Sequence, residues 1–584
     1  MKKIVKIAAV LVLALLVSGM AFASGGSSTT NARQDLTPLK RYDTPVRMTV
    51  GRESNAGGQF AAGQTSEDNG WTRMLKEVLN IEIDVRNGFE VVGGDYDQLL
   101  ALRVASDRLP DTFGISDNAR GMNMFYNLVE GRKLADLTNL FPAVVGGMTR
   151  AYLDTLNLRE LNQYMTVNNR LYGIHSGREG YNTGLLWVRK DWLDKCNLPV
   201  PRTMDDIANV AREFVRQRPG GQANTIGLAF NPDPNGGIFG QWLGILPLFN
   251  AFGSYPDLWI RNAAGQIVNG AIQPETKEAL RLLASWVQSG VIDRNMVTMR
   301  NGDEVRDTYI STNACGMYFQ AWWDPWVTWD SLQAASVKFT QGVEWVPVMA
   351  PLNPQGKWSP KNESISLGGQ VIRAGFSNPE AVIKAINLFE EVNKFRNPVY
   401  EPYRDIFIKP IEGQTDGRTN SPFRNGLVTL MDRVEGAPII TDYLRTGRLT
   451  LPETSIAFGI KDYIEGAYNW ERNNTMANWY RSRNDAEAEQ YMFQYVGHWA
   501  FDVVMNMYLE AERTGLMVEK IPAFTGTTDT HIEVGAMLDD LRNTAFMQII
   551  SGARPIDYFD TFVADWRRLG GDTVTAEVNA AVRR

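Results

Sequence analysis

Four tryptophans, Trp322, Trp323, Trp326 and Trp329, follow closely on one another, with Gln320, Asp324 and Asp330 set among them. Aromatic rings cover apolar C–H faces, and planar amides and carboxylates bond hydroxyls. A sugar offers both surfaces, so this grouping carries the chemistry of a carbohydrate site. The run Gly316-Met317-Tyr318-Phe319 reads as a strand leading into the cluster. The cluster then stands at the carboxyl end of a strand, where open α/β sheets bind their ligands. Trp329 lies about one helical turn beyond Trp326 and reads as core.

Other candidates follow strand-like runs in the same way. Arg52 and Glu53 follow the first strand, and Asp117 and Asn118 follow Gly114-Ile115-Ser116. Tyr181 and Asn182 stand beside Arg178 and Glu179. Trp242 lies in a glycine-rich stretch after Asn231. Each also has a plainer reading, a solvated turn for the charges and core for the rings. An arginine in the cleft (Arg52, Arg120 or Arg178) would favour an acidic sugar.

Catalytic chemistry finds little material. The three histidines, His175, His498 and His531, are far apart and lack metal-ligand spacing. No Gly-x-Ser-x-Gly elbow occurs. A secreted glycosidase needs two facing carboxylates, but among 66 acids chance pairs are certain. No cofactor and no metal are expected. Cys196 and Cys315 could pair in an oxidising compartment, or remain two buried thiols.

These residues need elements to hold them. The 584 residues exceed what one core sustains, so two large lobes are expected. Val46–Val50, Ile81–Val85, Thr112–Ile115 and Leu185–Val188 read as strands. Helical faces alternate with them, at Trp71-Leu75-Val78-Leu79 and at Leu99 to Val104. Thr203 with Asp206 forms a capping box for a helix to Gln217. A helix over Glu275–Ser289 ends at Gly290, and Asn378-Pro379 opens another that runs to about Lys394. Strands alternating with helices predict mainly parallel sheets with helices on their faces.

The amino terminus reads as an export signal. Lys2, Lys3 and Lys6 precede an apolar run from Ile7 to Val17, and Ala21-Phe22-Ala23 supplies the small residues a signal peptidase reads. Residues 1–23 are then a signal peptide and 24–43 a flexible linker. Met20 stands where a lipid-anchored protein would carry Cys, which favours free release into a periplasm. The formal charge is −7 overall, and more negative without the three leader lysines. An acidic protein is a poor partner for nucleic acid.

Several segments together resemble the extracellular solute-binding proteins of family 1, in their large lipoprotein-like subgroup. They are Tyr96-Asp97-Gln98-Leu99 through Ala105 to Asp111, Leu171-Tyr172-Gly173-Ile174, Leu186 to Leu193, and Leu198 to Asp206. Gly316 to Phe319 with Trp322-Trp323, Asn378 to Ala381, and the tail from Gly570 to Asn579 continue the series. The resemblance implies a two-lobed periplasmic binding protein of type II fold, hinged around a cleft. Lobe one would hold 44–178 and 370–460, and lobe two 179–369 and 461–584. It implies an exported receptor that binds a carbohydrate, an oligosaccharide first of all, and passes it to ABC permease subunits as a monomer. Trp323 matches the stacking tryptophan of maltose-binding members, and Asp117 a hydroxyl-binding aspartate. Many members carry a calcium loop after the helix that starts here at Thr203. This chain has Arg216 to Thr225 there, without a carboxylate, so calcium is not expected. Alternatives stay open: a receptor for a peptide or other solute, a ligand-presenting partner of a sensor, or a secreted carbohydrate-active enzyme.

Overall fold

The computed structural model describes residues 35–54, 60, 64–92, 95–116, 119–153, 165–175, 181, 183–233, 237–333, 343–362, 368–393, 398–403, 421–423, 431–452, 455–473, 485–524 and 528–582. The leader 1–23 and residues 24–34 of the expected linker lie outside them. The architecture that follows is that of the unit from Pro38 onward.

Eight strands build two sheets: β1 (Val46–Ser54), β2 (Ile81–Val92), β3 (Thr112–Ile115), β4 (Gly173–His175), β5 (Leu185–Arg189), β6 (Met317–Gln320), β7 (Trp345–Val348) and β8 (Gly369–Ile372). The first sheet has the order β2-β1-β3-β8-β4, and the second β6-β5-β7. β1 pairs in parallel with β2 and β3, as the alternating pattern predicts. β8 runs antiparallel to β3 and β4, and both neighbours of β5 run antiparallel to it. The first sheet is therefore mixed and the three strands of the second pair antiparallel, where mainly parallel sheets were expected. A strand that returns from the other lobe enters its sheet from the opposite end, so no helix crossover sets its direction.

Eight helices matter below: α1 (Tyr96–Ala105), α2 (Ala119–Glu130), α3 (Met204–Gln217), α4 (Pro274–Gln288), α5 (Asp324–Gln333), α6 (Met431–Thr446), α7 (Met505–Arg513) and α8 (Asp529–Ile550). α3 starts where its capping box dictates. Thr203 Oγ1 accepts from Asp206 N at 3.2 Å, and Asp206 Oδ2 accepts from Thr203 N at 2.9 Å. Its stripe Ile207, Val210, Ala211 and Phe214 is buried, and Phe214 packs edge-on to Trp192 at 5.3 Å. Arg218 ends it in the left-handed region.

The first sheet is pinned at its base by Asp111. That carboxylate accepts from Thr49 N and Oγ1 at 2.9 and 2.7 Å and pairs with Arg373 at 2.6 Å. Phe89, Phe113 and Ile115 of this sheet form one core with Met122 and Phe125 of α2. The second sheet anchors a separate, larger core. Ala437 and Ile440 of α6, with Ala457 and Ile460, belong to that second core. Segment 358–361 pairs with 517–520 through bridges Trp358–Met517 and Lys361–Lys520.

Candidate functional site

The backbone stacks two indole rings on one another at the end of β6. Gln320 closes the strand. Its carbonyl accepts from Trp187 Nε1 at 3.2 Å, its Oε1 from Leu243 N at 3.4 Å, and Trp242 bridges it in antiparallel fashion. A turn follows, closed by Asp324 N donating to Ala321 O at 3.0 Å, and it presents Trp323. The rings of Trp242 and Trp323 lie 5.9 Å apart and within 14° of parallel. Both are half-buried.

The surroundings hold Trp242 in place. Gly302 lies so close that a Cβ there would stand 2.4 Å from Trp242 Nε1. Arg306 lies over the ring at 5.8 Å and is itself held by Asp303 at 3.1 Å and Asp307 at 2.8 Å. Beneath the platform, Asp324 is fully buried at the start of α5. Burial pushes its carboxyl up to about 8, against lowering by Thr328 and Tyr318, so it is neutral at pH 7. Gln320 Nε2 is buried without a hydrogen-bond partner among the described residues. A cavity behind the strand end, touched by Thr183, Gly184, Asn250, Phe319 and Trp358, measures about 20 Å3, room for about one water.

The remaining expected residues fall in several places. Trp322 belongs to the core: it is 6% exposed, Arg433 lies over its ring at 4.2 Å, and Phe501 packs at 6.0 Å. Consecutive residues in a turn point to different sides, so Trp322 and Trp323 cannot both face one ligand. Trp326 is half-buried and edge-on to Trp322 and Phe501, at 5.6 and 5.8 Å. Its packing is against helices and not against the platform. Trp329 is buried, as expected.

Tyr181 stacks on Tyr508 of α7 at 4.9 Å and donates to Glu512, while Tyr508 donates to Thr183 O at 2.7 Å. Tyr181 and Thr183, just before β5, are thereby fastened to the second core. Arg52 is fully buried and paired with Glu90 at 3.2 Å, with Phe60 at 5.3 Å, so its charge is already used within the first lobe. Glu53 beside it is half-buried. Asp117, Asn118, Asn182 and Arg178 lie outside the described residues, as does the side chain of Arg120.

Cys196 and Cys315 are free thiols, the second fully buried and pushed up to about 12 by desolvation. Among the described residues no group of three or more His, Cys, Asp or Glu is placed to hold a metal.

No protein-family model matches the chain. Two Bacillus subtilis proteins resemble part of it. The polygalacturonan/rhamnogalacturonan-binding protein YtcQ is 27% identical over 238 residues, 38% of this chain and 42% of that protein. Lipoprotein LipO is 22% identical over 217 residues, 36% of this chain and 39% of that protein. The matches thus span about two fifths of these relatives' lengths. Solved structures match nearly the whole chain. The alginate-binding protein AlgQ2 superposes with a TM-score of 0.58 and 14% identity over 94% of this chain and 100% of that one. A solute-binding protein from Bifidobacterium longum infantis, described as binding HMO, gives 0.55 and 14% over 92% and 98%. The Streptococcus pneumoniae substrate-binding protein FusA gives 0.53 and 14% over 92% and 99%.

The fold is that of the two-lobed solute-binding proteins of ABC transporters. The family resemblance carried by the scattered segments agrees with it.

Proposed function

We propose that the chain is the exported substrate-binding protein of an ABC importer, that it binds a carbohydrate in its interlobe cleft, and that it hands this ligand to membrane permease subunits. The observation that carries the reading is the near-parallel pair Trp242 and Trp323 at the strand end. Partly exposed indoles suit the apolar surfaces of sugar rings, and Asn231 and Arg306 lie close by for hydroxyls. The likeness to sugar-binding proteins supports the same reading. Lobe one then comprises 44–178 with β8 and the helix at 379–393, and lobe two 179–362 together with the chain from 431 on. Closure can be driven by ligand only if the closed form binds it better. Export through the leader 1–23 and a periplasmic location belong to this reading, as does a monomeric state.

A thermal-shift screen of residues 24–584 against mono- and oligosaccharides, with product analysis by chromatography, tests it. A ligand at a hundredfold excess over its Kd stabilises by about 2.7 kcal/mol. A shift with one sugar class and no product is the expected outcome. Cleavage of the sugar would instead make the chain an enzyme, and shifts only with peptides would make it a peptide receptor.

A further inference from the structure

The platform does not end at Trp242. Gly240, two residues before it, is exposed and opens onto a groove of about 430 Å3. Two residues of chain span at most about 7 Å, so groove and platform are neighbours. The far wall is α8. Its residues Ala536, Asp539, Asp540 and Asn543 recur at helical spacing on one face and line the groove with Phe239, Asp257 and Arg542. α8 also touches α2, whose Met122 and Phe125 belong to the other core, so the helix that walls the groove reaches the first lobe.

The chemistry of the wall is specific. Asn543 is 6% exposed. Asp257 gives one oxygen to Lys361 at 2.6 Å, while its buried Oδ1 has no hydrogen-bond partner among the described residues. The charges are also arranged. Lys361 is matched by Asp257, and Arg542 by Asp539 at 2.9 Å. Arg306 at the platform is matched by both Asp303 and Asp307. Asp540 adds a further carboxylate with no cation of its own among these pairs. Lys361, Arg542 and Arg306 are thus each met by a carboxylate, and with Asp540 the balance of these residues is negative.

We propose that the groove between α8 and Gly240 is a further saccharide subsite, continuous with the Trp242–Trp323 platform, and that it selects an uncharged oligosaccharide chain. The proposal rests on the carbohydrate reading above and deepens it. Carboxylates and amides accept and donate to hydroxyls, whereas a uronate unit would place its charge against Asp540 without a free cation to meet it. The volume lies within the range of ligand pockets. The selectivity is therefore opposite to the acidic polymers named for YtcQ and AlgQ2.

The test is calorimetric titration of residues 24–584 with neutral tetrasaccharides of glucose, galactose, mannose or arabinose, and with tetragalacturonate and tetramannuronate. The variants Asp540→Asn and Ala536→Trp follow. Both side chains are exposed on α8, so the fold is not at stake. At least one neutral tetrasaccharide should bind tenfold or more tighter than either uronate. Ala536→Trp should weaken that tetrasaccharide tenfold while leaving the matching monosaccharide unchanged, and Asp540→Asn should narrow the gap between neutral and acidic chains. Uronates binding as tightly as neutral chains would overturn the proposal and leave the carbohydrate reading intact. The subsite is likewise overturned if neither variant alters tetrasaccharide affinity. Failure of every sugar to bind would overturn the carbohydrate reading itself, and the subsite with it.

Discussion

Replacing Asp324 by Asn should make the protein more stable in alkali and flatten its response to pH. The carboxyl is fully buried, with Thr328 Oγ1 donating to its Oδ2 at 3.0 Å and Tyr318 beside it. Burial raises it from 3.8 to about 8. The folded chain therefore keeps a proton over a range in which the unfolded chain has lost it. Stability from the neutral carboxyl is complete below the unfolded value and drains away as pH rises towards 8. A displacement of that size corresponds to on the order of 5 kcal/mol at the limit. Urea unfolding of both proteins at pH 5 and pH 8.5 reads it. Wild type should lose several kcal/mol between those conditions that the Asn variant does not lose, and the variant should be the more stable at pH 8.5. Parallel pH profiles, with the variant weaker by the same amount throughout, would refute the assignment of a neutral carboxyl. Because Asp324 follows Trp323 directly, ligand affinity of wild type should also fall above pH 8, and that of the variant should hold.

Trp323→Ala should weaken ligand binding by about 1–3 kcal/mol, the range for stacking on other flat rings, whereas Trp322→Ala should lower folding stability by about 3–5 kcal/mol and leave the affinity of the folded fraction alone. Calorimetry and thermal unfolding of the two variants separate the roles, and equal effects of both on affinity would put Trp322 in the site after all. A combined Trp242→Ala, Trp323→Ala variant should show a binding loss that departs from the sum of the singles, since the rings touch. Tyr181→Phe should cost about 1 kcal/mol of stability through the lost bond to Glu512, measured by urea unfolding. A thiol reagent should titrate two cysteines in denatured protein, while Cys315 stays unreactive in the native state, its thiol being held near 12.

Much of the frame was legible in the chain. Val46, Met48 and Val50 alternate with polar neighbours and form β1, and Thr203 with Asp206 announces α3 to within a residue. Trp323 at the end of β6 followed from a short apolar strand running into aromatics. Other features depended on tertiary packing and left no local mark. Trp322 and Trp323 are the same residue type side by side, and only the turn at Ala321–Asp324 decides which faces Arg433 and Phe501. Arg52 reads as an exposed charged turn, yet Glu90, far along the chain, buries it. α6 lacks a clear apolar stripe, so its attachment to the second core could not be assigned by pattern. The groove along α8 did leave a signal: Ala536, Asp539, Asp540 and Asn543 recur at helical spacing as a small and polar face.

Gly302 bears on how the receptor could change its cargo. The absence of a side chain there lets the edge of the Trp242 indole approach the backbone, and any Cβ would meet it at 2.4 Å. A laboratory library aimed at new ligands has two routes through this spot. Keeping the glycine preserves the aromatic floor while the surrounding polar residues are randomised. Introducing alanine tilts the floor itself and resets every contact above it in a single step, which makes position 302 a coarse control of specificity and the groove residues the fine one.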